Sequence, residues 1–580
     1  MSAPVEGMRW QAAEFDRRLA RRLQRELNLS RPAAEILARL GVNSSAEARG
    51  FLDPKLASLQ DPFAIANLEA AVQRLRRAMR DGEEILVFGD YDVDGVTSTV
   101  ILVDVLTRYG IYPRFVVPKR LEEGYGLSEA ALKRAITEGG RPDLLIAVDC
   151  GTSSRAEVAL LRSAGIDVII LDHHTSKESL PEDCLVVNPH VHDPEDAPWK
   201  HLCAVGLVFK FIHGLLKALR EDGDDLAHEI RLRDYLDLVT LGTIADLVPL
   251  IGENRVFVRH GLKLLRETRR VGLAALFEVG GIQLGSEITP FDISFRIGPR
   301  INASGRLGDA SEPIKLLLGA DLQECRQTAM DLDASNRDRQ AIERAIAEEA
   351  ESRVKDAYGE DPGIILFHPE WHAGVVGIVA SRLTNRFHRP ALVLGAEGGL
   401  AKGSGRSVPG INLVEVLKPC ADLLENWGGH PMAVGLTVDP ANIEKLREAF
   451  CASILRNTAG ELPEPIIEIA AELDPKELNE QLLHDLDHLA PFGQGNEEPV
   501  FSVRNAVIDR LQPIGDGSHT RFHLVNPGNG DISGVAWNRA ADLLPHPGTP
   551  CRLALRFGWN VWQGRRTPRV TFLDWEQPGL

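Results

Sequence analysis

The sequence predicts a multidomain α/β protein with a doubly wound parallel sheet in its first half and a small β-barrel at its end. Three observations predict it. Short apolar runs of strand length alternate with helical segments from Glu83 onward, the pattern of a parallel α/β sheet. Acidic and histidine clusters fall where those strands end, which is where such sheets bind ligands. A second α/β pattern follows a long charged helical stretch, and beyond it the segments turn strand-like again. A chain of 580 residues exceeds a single core, and at roughly 100–200 residues per domain it divides into about three or four.

The elements follow in order. The arginine-rich segment DRRLARRLQREL, Asp16 to Leu27, reads as helix. EILVF leads through the acidic loop GDYDVDG into GVTSTVILVDVLTRYG, PDLLIAV leads into DCGTSS and a helix, and DVIIL leads into DHHTS. A later helix, LRDYLDLVTLGTIADLVPL, carries Asp246 at its end, with Pro249 as a stop signal. Asp309 to about Gly359 reads as one connecting helix. The second α/β pattern holds GIILF, GVVGIVASRLTNRF, PALVL, the loop GSGRSVPG and GGHPMAVGL. From about Pro463 an acidic helical stretch precedes strand-like segments that include CRLALRFGWNVW and PRVTFLDW.

No run of about 18 apolar residues appears and the N-terminus lacks the apolar core of a signal peptide, so a cytoplasmic protein without membrane contact is expected. The seven cysteines form no C-x-x-C pair, which excludes a disulfide framework and a zinc ribbon. A net charge of −18 argues against a nucleic-acid partner unless the charge is unevenly spread. It is uneven: Glu461 to Val500 holds eleven acids and one lysine, whereas Phe501 to Leu580 holds nine Lys or Arg against six acids. The basic tail is expected to meet a polyanion and the acidic stretch to face away from it.

The stretch VFGDYDVDGVTS, Val87 to Ser98, looks like half of an EF-hand loop. Counting from Asp90, the twelfth position is Ile101 rather than a glutamate, and a strand precedes where a helix should. Calcium is excluded. Asp90, Asp92, Asp94, Asp149, Asp172, His173 and His174 instead all fall at strand ends and are expected to converge. Carboxylates mixed with imidazole suit manganese or magnesium. Several shared acids point to two ions about 3.5–4 Å apart, as in phosphatases and nucleases. Where the loop is extended, D-x-D-x-D puts alternate side chains on one side, so one loop can serve both ions.

These motifs carry a resemblance. GDYDVDGVTS, VDCGTSS, LDHHT and LGTIADLVPL resemble the four ordered motifs of the DHH phosphoesterase superfamily. RIGPRINASGR, WHAGVVGIVASRL, GSGRSVPG and GGHPMAVGL resemble the bacterial RecJ exonucleases with their DHHA1 domain. The resemblance runs from about residue 50 to the C-terminus. One departure is Cys150, where the family motif has asparagine; it places a thiol beside Asp149 and opens the possibility of oxidation. The resemblance implies an N-terminal helical segment (1–50), a DHH catalytic domain (51–308), a connecting helix (309–359), an α/β DHHA1 domain (360–455) and a C-terminal OB-like β-barrel that binds nucleic acid (456–580). It also implies a 5′ to 3′ exonuclease that uses two Mn2+ or Mg2+ ions to release 5′-mononucleotides from single-stranded DNA in repair and recombination. Single-strand-binding protein and a helicase are the implied partners.

Carried over by motif, Asp92, Asp94, Asp149, His173 and Asp246 would bind metal, with Asp149 as the bridge. Asp90 would be a ligand or a base, Asp172 would orient His173, and His174 would touch the scissile phosphate. Arg300, Asn302 and Arg306, together with Ser404, Arg406, Ser407, Gly429 and His430, would hold the strand and its terminal phosphate, with neighbouring glycines opening backbone N–H groups to an anion. A buried, structural His430 is the alternative. In the barrel, Phe557, Trp559 and Trp562 near Arg556, Arg565 and Arg566 would be either core or base-stacking residues, Phe557 and Trp559 sharing one face. A phosphodiesterase for short oligonucleotides and a non-catalytic single-strand-binding scaffold are the rival readings.

Overall fold

The computed structural model describes residues 8–119, 123–124, 126–175, 179–307, 309–359, 361–527, 530–562 and 565–577. The chain forms two compact units: one comprises 50–337 and 490–497, the other 1–49, 338–489 and 498–580. The chain begins in the second of these with strand β1 (Arg9–Ala12), helix α1 (Arg17–Leu27) and helix α2 (Arg31–Arg39). Helix α1 starts as the sequence predicts, with the Asp16 carboxylate accepting from the amides of Arg18 and Leu19. Strand β1 departs from the expected purely helical segment. RWQA is too short for alternation to be legible, and it exists as a strand only by pairing with a distant one.

The unit of residues 50–337 is built on a five-stranded, wholly parallel sheet of order β3-β2-β4-β5-β6. Its strands are β2 (Ile85–Gly89), β3 (Arg114–Val116), β4 (Leu144–Val148), β5 (Asp167–Leu171) and β6 (Leu185–Val187). β2 and β4 are buried along their whole length, and their unbroken apolar runs are what strands covered on both faces require. Since β3 lies on one side of β2 and β4 on the other, the chain direction across the sheet switches between β2 and β4, and a crevice opens beyond their carboxyl ends.

Helix α3 (Val93–Arg108) leaves that crevice and packs against β2, α4 (Ala204–Glu221) and α5 (Leu236–Ala245). It is buried nearly all round, so its apolar residues show no single stripe. Two glycines let strand, turn and helix close on each other. A Cβ on Gly89 would stand 2.2 Å from Thr99 Oγ1, and one on Gly95 2.4 Å from the Asp90 carbonyl oxygen. Further on, GPRINASGR forms helix α6 (Gly298–Leu307), entered through a π-helical turn at Ile293–Ile297. The connecting stretch is two helices rather than one, Glu312–Leu318 and α7 (Leu322–Ala357), and the boundary between the units falls within α7.

In the other unit β7 (Ile364–His368), α8 (Val376–Phe387), β8 (Ala391–Glu397), β9 (Leu400–Arg406), β10 (Asn426–His430) and β11 (Ala433–Val438) form a mixed sheet of order β10-β11-β9-β8-β7. GSGR, expected as a loop, is the end of strand β9. A Cβ on Gly405 would meet Leu392 and Val434 side chains at 2.4 and 2.7 Å, and one on Gly403 the Val393 carbonyl at 2.0 Å. These glycines serve close strand packing, so the expected backbone cradle for an anion does not form there.

The same unit carries an eight-stranded mixed sheet of order β1-β12-β13-β17-β18-β16-β15-β14. Its strands are β12 (Ile466–Leu473), β13 (Val500–Ala506), β14 (Ile508–Ile514), β15 (His519–Leu524), β16 (Ile532–Ala536), β17 (Cys551–Trp562) and β18 (Arg565–Glu576). The acidic stretch read as helical is partly β12; its regular helix is α9 (Glu480–Leu489).

Candidate metal centre

The three acids of the first motif are presented by a strand-to-helix turn, not by an extended loop. Asp90 follows β2 and is buried. Asp92 is the N-cap of α3, its Oδ1 accepting from the amides of Asp94 (2.9 Å) and Gly95 (3.2 Å). Asp94 lies in the first turn of α3, and its two carboxylate oxygens accept from the amides of Ala204 (2.7 Å) and Val205 (2.8 Å). Those amides belong to the start of α4, whose positive end favours a carboxylate. Nothing in the sequence marks the N-terminus of α4 as the support of Asp94.

Asp149 follows β4 in a left-handed conformation, φ 64°, which aspartate tolerates better than most residues. Its amide donates to the Leu171 carbonyl across the sheet (3.0 Å), tying the β4 end to the β5 end. Asp246 is the C-cap of α5. Into this ring reaches His173, whose Nε2 is 3.4 Å from Asp149 Oδ1, 3.4 Å from Asp246 Oδ2 and 3.8 Å from Asp94 Oδ2. Three groups bring their ligand atoms within 4.8 Å of one another: Asp94, His173 and Asp246; Asp90, Asp92 and Asp149; and Asp149, His173 and His174. Asp149 and His173 each belong to two groups.

The electrostatics of this cluster demand added positive charge. Burial, then repulsion from Asp92, raises the Asp94 pKa to about 7. Burial and the surrounding carboxylates hold Asp149 and Asp246 well above the ordinary carboxylate range. Buried carboxylates that repel one another this strongly become a favourable arrangement when divalent cations share them. The oxygen-rich donor set with one or two imidazoles fits Mn2+ or Mg2+. Cys150 is buried and its thiol is pushed up by burial and by the charges of Asp90 and Asp172, so it stays protonated, which weighs against the oxidation that its position beside Asp149 left open.

Asp172 orients His174, not His173 as expected. Its Oδ1 lies 2.8 Å from His174 Nδ1 and also accepts from the amides of His173 and His174, while Oδ2 accepts from the Thr152 amide (3.0 Å). Burial works against charge on both partners, but the hydrogen bond between them prevails: Asp172 is held below the usual carboxylate range and His174 is raised to about 9. Asn188, which sequence reading missed, braces this pair by donating to the His174 carbonyl and to Thr152 Oγ1 (both 2.9 Å). With Nδ1 engaged by Asp172, His174 would meet a ligand through Nε2.

The expected substrate residues divide. Arg300 is committed within the protein: its Nε and Nη2 bind Asp333 at 2.9 and 2.8 Å, and it donates to the carbonyls of Arg296 and Val279. This replaces the expected phosphate clamp with a structural one. Asn302 and Arg306 stand on α6 beside Gly305, where a Cβ would be 2.9 Å from the Tyr91 ring, so this helix adjoins the first acidic motif. Asn302 Oδ1 is buried without a hydrogen-bond partner. In the other unit Ser404 and Arg406, two apart on β9, lie at the start of α8: a Cβ on Gly377 would be 3.2 Å from Ser404 Oγ and 3.6 Å from Arg406 Nη2. Ser407 is buried and its hydroxyl donates to the Ile411 carbonyl (2.7 Å), which makes it structural instead. Gly429 must remain glycine, since its φ is 141° and a Cβ would be 2.3 Å from the Ala433 carbonyl. His430 is exposed, against the buried alternative.

Phe557 and Trp559 are not a free stacking platform. Phe557 is core, 3 % exposed. Trp559 donates to Asp487 (3.1 Å) and lies under Arg566, whose guanidinium carbon is 4.8 Å from the ring. The Trp562 side chain lies outside the described residues. Nor does the acidic stretch turn away from the basic tail, because Asp487 pairs with Arg566 (2.9 Å) and Glu498 with Arg556 (3.4 Å).

Comparison with known proteins agrees with this architecture. Family models match as the DHH family N-terminal domain over residues 84–243, the DHHA1 domain over 360–455 and the RecJ OB domain over 469–574. The single-stranded-DNA-specific exonuclease RecJ of Bacillus subtilis is 35% identical over 573 residues, covering 98% of this chain and 70% of its own. The crystal structure of Thermus thermophilus RecJ with Mn2+ superposes with a TM-score of 0.82 at 30% identity, covering 99% of this chain and 80% of that one. A second Thermus structure, with Mg2+, gives a TM-score of 0.77 at 29% identity, covering 99% and 79%. The chain belongs to the RecJ family of single-stranded-DNA-specific exonucleases.

Proposed function

We propose that this protein is a metal-dependent exonuclease that degrades single-stranded DNA from its 5′ end and releases 5′-mononucleotides. The observation that carries the proposal is the overlap of the ligand groups, in which Asp149 and His173 are each shared between two sets of buried and half-buried side chains. Two Mn2+ or Mg2+ ions, when bound, supply an activated water and neutralise charge on the phosphoryl group. Asp94, His173 and Asp246 would hold one ion, Asp90 and Asp92 the other, and Asp149 both. The amides of α4 fix Asp94, and the left-handed turn after β4 fixes Asp149, so the ligands need little rearrangement on binding. His174, kept protonated by Asp172, would donate from Nε2 to a phosphoryl oxygen, a charge-assisted hydrogen bond that strengthens as negative charge builds there.

Asn302 and Arg306 would contact the strand, and Ser404 with Arg406 at the N-terminus of α8 would receive a terminal phosphate, since helix amides, a hydroxyl and a guanidinium are all anion donors. Gly429 and His430 would form part of the substrate surface. The setting implied is cytoplasmic DNA repair and recombination, with single-strand-binding protein and a helicase as partners. The test is incubation of the purified protein with 5′-phosphorylated single-stranded and duplex DNA in Mn2+, Mg2+ or chelator. Metal-dependent release of mononucleotides from single strands alone is expected. Cleavage confined to very short oligonucleotides, or binding without cleavage, would overturn the reading.

A further inference from the structure

Helix α1 is the densest basic element of an acidic chain, and the site described above makes no use of it. Of its eleven residues, Arg17, Arg18, Arg21, Arg22 and Arg25 are basic and only Glu26 is acidic. Ala20 and Leu23 anchor it to its unit, and all five arginines are exposed. They are poorly placed for the helix itself. Arg17 and Arg18 occupy the first turn, where the helix dipole already concentrates positive charge and where the capping Asp16, outside the turn, is the one acid beside them. Arg17 with Arg21, Arg18 with Arg22, and Arg21 with Arg25 are like-charge pairs one turn apart, each unfavourable.

A merely solvated helix face usually alternates in sign and gains from i,i+4 ion pairs; this one does the opposite. Among the described residues none of the five makes an ion pair; Arg22 donates to the Asn43 carbonyl (2.7 Å) and Arg25 to that of Arg21 (3.3 Å). Arg17, Arg21 and Gln24 line a groove of about 480 Å³ together with Glu35, Glu472, Arg31 and Arg552. The last two are already neutralised by Glu35 and Glu477, and by Glu472 and Glu576.

We propose that α1 is a nucleic-acid contact surface that holds the sugar-phosphate backbone of a single strand without reading its sequence. One observation favours a strand over an acidic peptide. The arginines form two adjacent stripes, Arg17 and Arg21 on the groove side and Arg18, Arg22 and Arg25 beside it, so the charge extends beyond the groove rather than converging in one pocket. The basic tail, with Arg556 and Arg566 paired to acids, leaves this helix as the less compensated source of positive charge. The proposal rests on the reading of the protein as a single-strand nuclease only for the identity of the polyanion.

The test measures binding of a fluorescent dT oligonucleotide of about 30 nucleotides by the full chain, in chelator to prevent hydrolysis, across a series of salt concentrations. For the wild type and the variant R17Q/R21Q/R25Q, the log-log salt slope should differ by roughly 2, at about 0.7 for each phosphate no longer neutralised, with affinity at low salt falling at least tenfold. Hydrolysis of a dinucleotide to mononucleotides should remain within about twofold. Because like-charge pairs are removed, the melting temperature of the variant should be unchanged or higher, which separates weaker DNA binding from impaired folding. An unchanged slope would overturn the proposal, as would an unlabelled acidic decapeptide that displaces nothing from DNA yet binds the wild type and not the variant. A wild type that binds the strand through α1 but cleaves nothing in Mn2+ would instead refute the nuclease reading and leave this inference standing.

Discussion

Replacing Arg300 by alanine should unfold the protein more readily without impairing its hold on DNA. The side chains of Arg300 and Asp333 are only 15% and 17% exposed, and the guanidinium meets Asp333 through two nitrogens while also donating to the Val279 carbonyl at the C-terminal end of a preceding helix. A hydrogen bond to a charged group contributes about 1.5–3 kcal/mol, and a neutral one about 0.5–1.5 kcal/mol. Asp333 keeps a second partner in Arg337, 3.2 Å away, so it is not left as an uncompensated charge. The loss should therefore be about 3 kcal/mol, which for a unit of this size lowers the melting temperature by roughly 5 °C. Calorimetry on R300A, D333A and the double variant would give the interaction energy between them, and kcat/KM on a single-stranded oligonucleotide should stay within about threefold at a temperature where all are folded. A variant that melts like the wild type but loses affinity for DNA would show that Arg300 is a phosphate clamp after all.

Three further outcomes are expected. D149N, which keeps the size of the side chain and suits the left-handed backbone at φ 64°, should lose turnover by several orders of magnitude while binding single strands almost normally; near-normal turnover would rule out a shared bridging ligand. R406A should abolish any preference for 5′-phosphorylated over 5′-hydroxyl ends, measured by competition between the two substrates, whereas R300A should leave it intact. The pH dependence follows from the raised carboxyl groups. Asp94, lifted from 3.8 to about 7 by burial and Asp92, contributes stability to the metal-free protein that is fully present below pH 3.8 and is lost as pH rises through about 7, and Asp149 and Asp246 act with the same sign. Because ions bind only the deprotonated cluster, Mn2+ should raise the melting temperature more at about pH 8 than at about pH 6; equal shifts would refute the ligand set.

What the sequence made legible was set by how local the cause was. The strand ends Asp90, Asp149 and Asp172 could be placed because fully buried parallel strands write unbroken apolar runs and their loops follow at once. Asp94 could be named, but not its support, since the amides of Ala204 and Val205 come from a helix far along the chain and amides carry no residue-type signature. The Asp172 partner was assigned to His173 because two adjacent imidazoles look alike in sequence; only the turn geometry gives Nδ1 of His174 to the carboxylate. GSGR read as a loop because glycine usually punctuates, whereas here Gly403 and Gly405 are glycine for want of room between strands. Arg300 read as a ligand because a motif arginine beside glycines suggests phosphate, while its acceptor, Asp333, lay unmarked in a charged helix. Between the two readings left open for Phe557, core or stacking, burial decides for core, which alternation alone does not fix when both faces are covered.

The pairing of β1 with β12 has a bearing on how the chain must fold as it is made. Arg9 aligns with Ile466, and a ribosome adding 5–20 residues each second reaches the second strand roughly 20–90 s after the first. During that interval the RWQA segment has an open edge and α1 keeps its arginines clustered, while the parallel sheet of residues 85–187, whose strands are close neighbours in the chain, can already assemble. The final seal comes later still, because the Leu250 amide waits for the Gln494 carbonyl to arrive (2.8 Å). Nascent chains stalled before residue 460 should thus carry a protease-resistant central fragment with a cleavable leader, and resistance of the leader should appear only once the terminal hairpin has cleared the exit tunnel.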